Sequence, residues 1–143
     1  MDSLELIDLD MNNEVFFDSI EDLLKHLKNV SECNLLTEIC GFVGKKNEKL
    51  LYKQMENRSK DPSSYFIIDP FDHLSFIKDN ETLLIFHSHL CGDEKPSDFD
   101  VKTSENCCFP FLIYSIVTEK FSIYEPQYKD YDVNIIQRLK ELI

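Results

Sequence analysis

The apolar run Leu83-Leu84-Ile85-Phe86 ends in His87-Ser88-His89, and Ser97 and Asp100 follow after spacers of seven and two residues. On a strand, side chains two apart share a face, so His87 and His89 project together and Ser88 points the other way. Two neutral imidazoles in that arrangement can chelate one metal ion. Asp100 falls on the first turn of a helix that the intervening loop can fold back over the strand end. Two histidines and one carboxylate leave a fourth tetrahedral position for water, the open arrangement of a catalytic zinc. The same residues support a plainer reading. Ser97 with Asp100 is also the pattern of a helix N-cap with an acidic third residue, and an H-x-H alone says little. Imidazole is costly to bury in an apolar strand without a partner, and here two share one face.

A hydrolase built on such a centre needs a general base beside the attacking water. Glu38 is the candidate, because it stands at the entrance to the apolar run Ile39-Cys40-Gly41-Phe42-Val43. The alternative is a solvated residue at the start of a strand. Ser88, on the opposite face from the histidines, reads as a buried support.

Several elements must position these groups. Apolar residues at Ile20, Leu23, Leu24 and Leu27 have helical spacing, and Asp18 or Ser19 can cap a helix over Ser19 to Val30. Residues 38–44 and 49–56 read as strands joined by the polar turn Lys45-Lys46-Asn47-Glu48. Tyr65 to Asp69 reads as a short strand, with Pro70 opening a short helix. Residues 82–89 read as a central strand buried on both faces. A helix follows over Ser97 to Cys107, then a strand pair turning at Thr118-Glu119-Lys120, then an amphipathic helix over about 132–143. Residues 1–13 read as a short strand or loose arm. Strands and helices mix without strict alternation, so the expected fold is α/β, a mixed central sheet between helices in three layers. No linker divides the 143 residues, so one domain is expected, with its core over about 18–125.

Composition limits the function classes. The formal charge of −12 argues against a nucleic-acid partner, which needs a basic face. Such a surface suits solubility or a basic partner. The five cysteines (Cys33, Cys40, Cys91, Cys107 and Cys108) are odd in number and form no C-x-x-C. That points to a reducing compartment rather than a disulfide framework. The acidic N-terminal stretch lacks the pattern of a signal peptide, and no apolar run is long enough to cross a bilayer. A cytoplasmic protein with no membrane partner is expected. Cys91 lies within the spacer and reads as inert, the Cys107-Cys108 pair as a buried helix end, and His26 and His73 as partly exposed helix residues.

Glu38-Ile39-Cys40-Gly41-Phe42-Val43, together with His87-x-His89-x7-Ser97-x2-Asp100, resembles the JAMM (JAB1/MPN+) metalloprotease signature over roughly residues 20–125. The resemblance implies an MPN/JAB fold and a single zinc ion with water as the fourth ligand. It implies that His87, His89 and Asp100 ligate the zinc. It further implies that Glu38 deprotonates the water and passes a proton to the leaving amine, while Ser97 donates a hydrogen bond to the oxyanion. The chain departs from the family at Leu90, where proline is common. The wording of the segments is similar to bacterial and phage JAB domains.

The resemblance implies a peptidase or isopeptidase acting at the C-terminus of a ubiquitin-like protein or its conjugate, a role that would fit an antiviral conjugation system. A phage-tail-assembly type of JAB peptidase is the second expectation, and a scaffold without catalysis the third. Walls for a substrate groove are expected in the loops over 44–65 and 90–96.

Overall fold

The computed structural model describes residues 14–143; the arm expected over residues 1–13 lies outside them. Its centre is β4 (Glu81–His89), in which every side chain from Leu83 to Ser88 is buried. A strand buried on both faces and both edges needs neighbours on each side. β2 (Cys40–Lys46) supplies one, antiparallel, and β5 (Phe111–Ser115) the other, parallel. The antiparallel strands β1 (Glu14–Phe17), β3 (Lys49–Met55) and β6 (Phe121–Tyr124) complete a six-stranded mixed sheet in the order β1-β3-β2-β4-β5-β6.

Among the described residues, four helices cover the sheet: α1 (Ile20–Glu32), α2 (Pro70–Ile77), α3 (Asp98–Cys107) and α4 (Val133–Leu142). Ile20, Leu23 and Leu27 of α1 and Ile135, Ile136 and Leu139 of α4 pack on one face of the sheet, against Leu84, Phe86, Leu112 and Tyr114. Phe76 of α2, Cys107 of α3 and Phe66 pack on the other face, against Cys40, Phe42, Ile85, Phe111 and Ile113. This is the expected three-layer α/β/α arrangement. Each helix begins where a short polar side chain can accept from free backbone N–H groups. Ser19 takes Asp22 N–H, Asp69 takes Phe71 N–H, and Asp132 takes Asn134 and Ile135 N–H.

The β2–β3 hairpin turns on Asn47 and Glu48, both at positive φ (50° and 65°), the twist that suits a two-residue hairpin. At β2, Gly41 lets the Tyr52 ring lie close. A Cβ there would come within 2.4 Å of the Lys53 carbonyl and 2.7 Å of the Tyr52 ring. One expectation needs correction. Tyr65 to Asp69 is not a strand: Tyr65 O and Ile67 N are taken by the side chain of Asn57, and Ile67 O accepts from Arg58 N–H. The apolar run there is explained by Phe66 entering the core. The edge strand Glu14–Phe17 was not anticipated, because four residues at a sheet edge carry too little pattern to be read. Cys107 and Cys108 are free, partly buried thiols at the end of α3, with Cys108 closing the helix at φ 64°. Among the described residues, no helix is long and apolar enough to cross a membrane.

Tyr52 is fully enclosed and meets Phe86 edge-on at 5.9 Å, while its hydroxyl has no hydrogen-bond partner among the described residues. Denaturant unfolding should therefore show Tyr52→Phe neutral or slightly stabilising, since it removes an unsatisfied polar group. Phe86→Ala, by contrast, should lose about 3–5 kcal/mol.

Candidate metal centre

Because β4 is regular to its end, His87 and His89 fall on the same face as Ile85, and Ser88 on the face of Phe86. Ser88 is wholly buried, and its hydroxyl accepts from Ile39 N–H at 3.0 Å while its own N–H donates to Ile39 O. The β2–β4 register pairs Cys40 with His87. Continued by two residues beyond the ladder, it brings Glu38 alongside His89.

The return from β4 to α3 supplies the carboxylate. Ser97 is the N-cap of α3: its hydroxyl accepts from Asp100 N–H at 3.1 Å, and Asp100 Oδ2 accepts from Ser97 N–H at 3.0 Å. The cap pattern is thus real, and it is also what aims Asp100 at the histidines. Asp100 Oδ1 lies 3.1 Å from His87 Nε2 and Oδ2 lies 3.0 Å from His89 Nε2. One ligand atom from each of the three residues falls within 4.8 Å of the others.

The two imidazoles differ in their surroundings. His87 is enclosed by aromatic rings, with Phe66 at 4.5 Å between centroids and Phe111 edge-on at 5.4 Å. Burial lowers its pKa against the pull of Asp100, so the ring is neutral. Although its Nε2 is close to Asp100 Oδ1, the contact lacks hydrogen-bond alignment, and neither ring nitrogen has a partner. The close approach is therefore better taken as an electrostatic one. His89 is partly exposed. Burial lowers its pKa, but the bonds to Asp100 and to the Asp93 carbonyl outweigh that and raise it.

Asp93 O lies 2.8 Å from His89 Nδ1. A carbonyl can only accept, so Nδ1 carries the proton, and in the neutral ring Nε2 presents a lone pair to a carboxylate. Two acceptors at 3.0 Å require something positive between them, either a second proton or a cation. Burial would raise the Asp100 pKa, yet His87, His89 and Ser97 N–H hold it well below the usual carboxylate range. An anionic carboxylate, a buried neutral imidazole with no partner and a second imidazole fixed as the Nδ1–H tautomer form a donor set suited to a metal ion.

Glu38 is buried, at 6% exposure. It shares a cleft of about 350 Å³ with His89, Asp100 and Ser97. Burial pushes its carboxyl up to about 8; His89 opposes the shift, while Asp100 and Asp61 add to it. A cation beside Asp100 would act in the opposite direction. The hydroxyl proton of Ser97 makes no bond among the described residues. The five residues singled out in the sequence are therefore gathered at one end of β4. Of the anticipated groove walls, 90–96 contributes Leu90, Cys91, Gly92, Asp93 and Lys95, but 44–65 contributes only Ser63 and Ser64, because 49–55 is sheet. Cys91 is exposed on the cleft and is not among the three residues whose ligand atoms converge. His73 is a partly exposed helix residue, as expected, and it stacks on Phe42 and bonds Thr82.

Sequence reasoning missed Phe66, Phe111 and Asp93, whose roles come from packing and a backbone carbonyl and leave no signature in residue type. The 90–96 loop is itself pinned. Ser115 Oγ donates to Gly92 O at 2.7 Å, and Ser122 Oγ donates to Glu94 O, which holds Asp93 O in place for His89.

Compared with known proteins, the chain matches no family model and no curated protein. Among solved structures it is similar to protein DSY2949 from Desulfitobacterium hafniense, at 25% identity and a TM-score of 0.53, over 73% of this chain and 75% of that one. It also overlays on AF2198, described as a JAB1/MPN domain protein from Archaeoglobus fulgidus, at 14% identity and a TM-score of 0.45, over 72% and 83% of the two chains. The first likeness supports the α/β fold, and the second is too loose to bear on activity. The group His87, His89 and Asp100 can hold a metal ion in an α/β sheet of this kind.

Elemental analysis should find about one divalent metal ion per wild-type chain and none in the double variant His87→Ala/His89→Ala. Full occupancy in that variant would contradict the ligand assignment. Because binding displaces the His89 proton, apparent affinity should fall by about tenfold per pH unit below the His89 pKa, measured by competition with a chelator.

Proposed function

We propose that this protein is a zinc-dependent peptidase or isopeptidase of the JAMM type, hydrolysing the amide or isopeptide bond at the C-terminus of a ubiquitin-like protein. The observation that carries the reading is the convergence of His87 Nε2, His89 Nε2 and the Asp100 carboxylate at the end of a cleft that also holds a buried glutamate. Two imidazoles and one carboxylate are a ligand set that suits zinc and leaves a position open. A zinc ion held there would polarise the scissile carbonyl and acidify water.

The chain's own residues would do the rest. Glu38 would take a proton from the attacking water as the new C–O bond forms. It would return that proton to the amine nitrogen as the C–N bond breaks. Ser97, capping α3 through its oxygen, has its hydroxyl proton free to donate to the developing oxyanion. Asp93 O would keep His89 in its ligating tautomer, and the ring walls of Phe66 and Phe111 would keep water away from His87. The ubiquitin-like substrate comes from the resemblance of the motif, and the small residues Ser63, Ser64, Gly92 and Ser97 among those lining the cleft support an extended tail as its ligand.

Glu38→Gln is the direct test, assayed on fusions of ubiquitin-like proteins. It should retain the metal and lose about 10²–10⁴-fold in turnover. Activity that survives in Glu38→Gln, or in the chelator-treated wild type, would leave the scaffold reading in its place.

A further inference from the structure

We infer that Asn57 is the positioning residue of this site, a single carboxamide that ties the backbone of Glu38 to the loop forming the facing wall of the cleft. Asn57 follows the end of β3, and its side chain is engaged at both ends. Its Oδ1 accepts from Ser59 N–H at 3.0 Å and from Ile67 N–H at 3.1 Å. Its Nδ2 donates to Glu38 O at 3.0 Å and Tyr65 O at 3.1 Å, with Pro62 O at 3.4 Å. The orientation of the amide is forced by chemistry, since backbone N–H groups can only donate and carbonyls can only accept.

These bonds close the loop between residues 57 and 67 without any strand pairing and give it one fixed shape. Pro62 O accepts from Glu38 N–H at 2.7 Å, so Glu38 is gripped by both its backbone groups. The next residue, Ile39, is held by Ser88. The loop carries Ser63 and Ser64 into the cleft opposite His89 and Asp100, and Tyr65 meets Phe99 of α3 edge-on at 5.3 Å. Asn57 therefore sets the Glu38 carboxylate and the loop wall relative to the metal group while touching none of the three ligands. The role needs a carboxamide on a short stem: aspartate would set acceptors against three carbonyls, alanine would offer no donor, and serine has a single O–H where Glu38 O and Tyr65 O each take an N–H.

The kinetic half of this inference rests on the proposed peptidase activity; the positional half does not. Full-length wild type, Asn57→Asp and Asn57→Ser would be compared by amide hydrogen exchange, metal content and steady-state kinetics; the serine variant decides the matter should the aspartate variant fail to fold. Exchange at Ser59, Ile67 and Glu38 should rise by about tenfold or more, with the central β4 amides unchanged and metal content kept. Turnover (kcat) should fall by about 10–100-fold while KM moves little, because displacing a catalytic group costs rate rather than binding. Unchanged exchange at the three amides would overturn the inference whatever the activity. Accelerated exchange with unaltered kcat would overturn the positioning role, as would a uniform loss of protection throughout β4, which marks a merely structural residue. A wild type that binds metal and cleaves no fusion would sink the proposed function and leave the exchange comparison standing.

Discussion

Asp100 Oδ2 accepts Ser97 N–H and, at the same time, faces His89 Nε2 at 3.0 Å. That one oxygen joins the start of a helix to the end of the central strand, and much of the local architecture follows from it. A capping box stabilises a helix start by about 1 kcal/mol, a modest sum. Here the box also fixes the rotamer of the carboxylate. With the cap formed, Oδ1 and Oδ2 point back at the two imidazoles; with the cap broken, α3 would lose its first turn and the donor group its anion. Folding energy and site geometry are thus supplied by the same few atoms.

The rest of the site is built to keep that carboxylate and its partners in a largely dry, well-supported setting. His87 is sealed by Phe66 and Phe111, one from an irregular segment and one from the neighbouring parallel strand. The loop after β4 is tethered by Ser115 and Ser122, so the Asp93 carbonyl can hold His89. On the other side of the cleft, Glu38 is buried between β2 and the loop organised by Asn57. A low-dielectric pocket that holds Glu38 and Asp100 together is electrostatically unfavourable by itself. Burial answers this by pushing the Glu38 carboxyl up to about 8; a cation beside Asp100 would bring it down again, which is what the proposed chemistry asks of Glu38.

Much of this was legible in the sequence because the strongest signals are periodic or covalently close. The alternation at His87-Ser88-His89, the doubly buried run before it and the Ser97–Asp100 cap all act within a few residues, and the sheet between helices follows from the mixture of strand and helix patterns. What stayed hidden acts at a distance. Tyr65 to Asp69 has the composition of a strand, yet Asn57 takes Tyr65 O and Ile67 N–H, so composition alone misassigned it. Glu14–Phe17 is a short edge strand defined by its pairing with β3 rather than by its own pattern. Asn57 itself reads as an unremarkable loop residue, because its importance lies in which carbonyls fold around it. The cap and metal readings of Ser97 and Asp100, alternatives in the sequence, are compatible in three dimensions.

X-ray absorption at the zinc edge, on the zinc-loaded full chain, tests the central claim most directly, because it reads ligand type without a substrate. The account predicts a four-coordinate shell of nitrogen and oxygen at about 2.0–2.1 Å, with the outer-shell scattering of two imidazoles and no sulfur. A sulfur scatterer at about 2.3 Å, which would bring in the exposed Cys91 of the cleft, or a shell with fewer than two imidazoles, would contradict it.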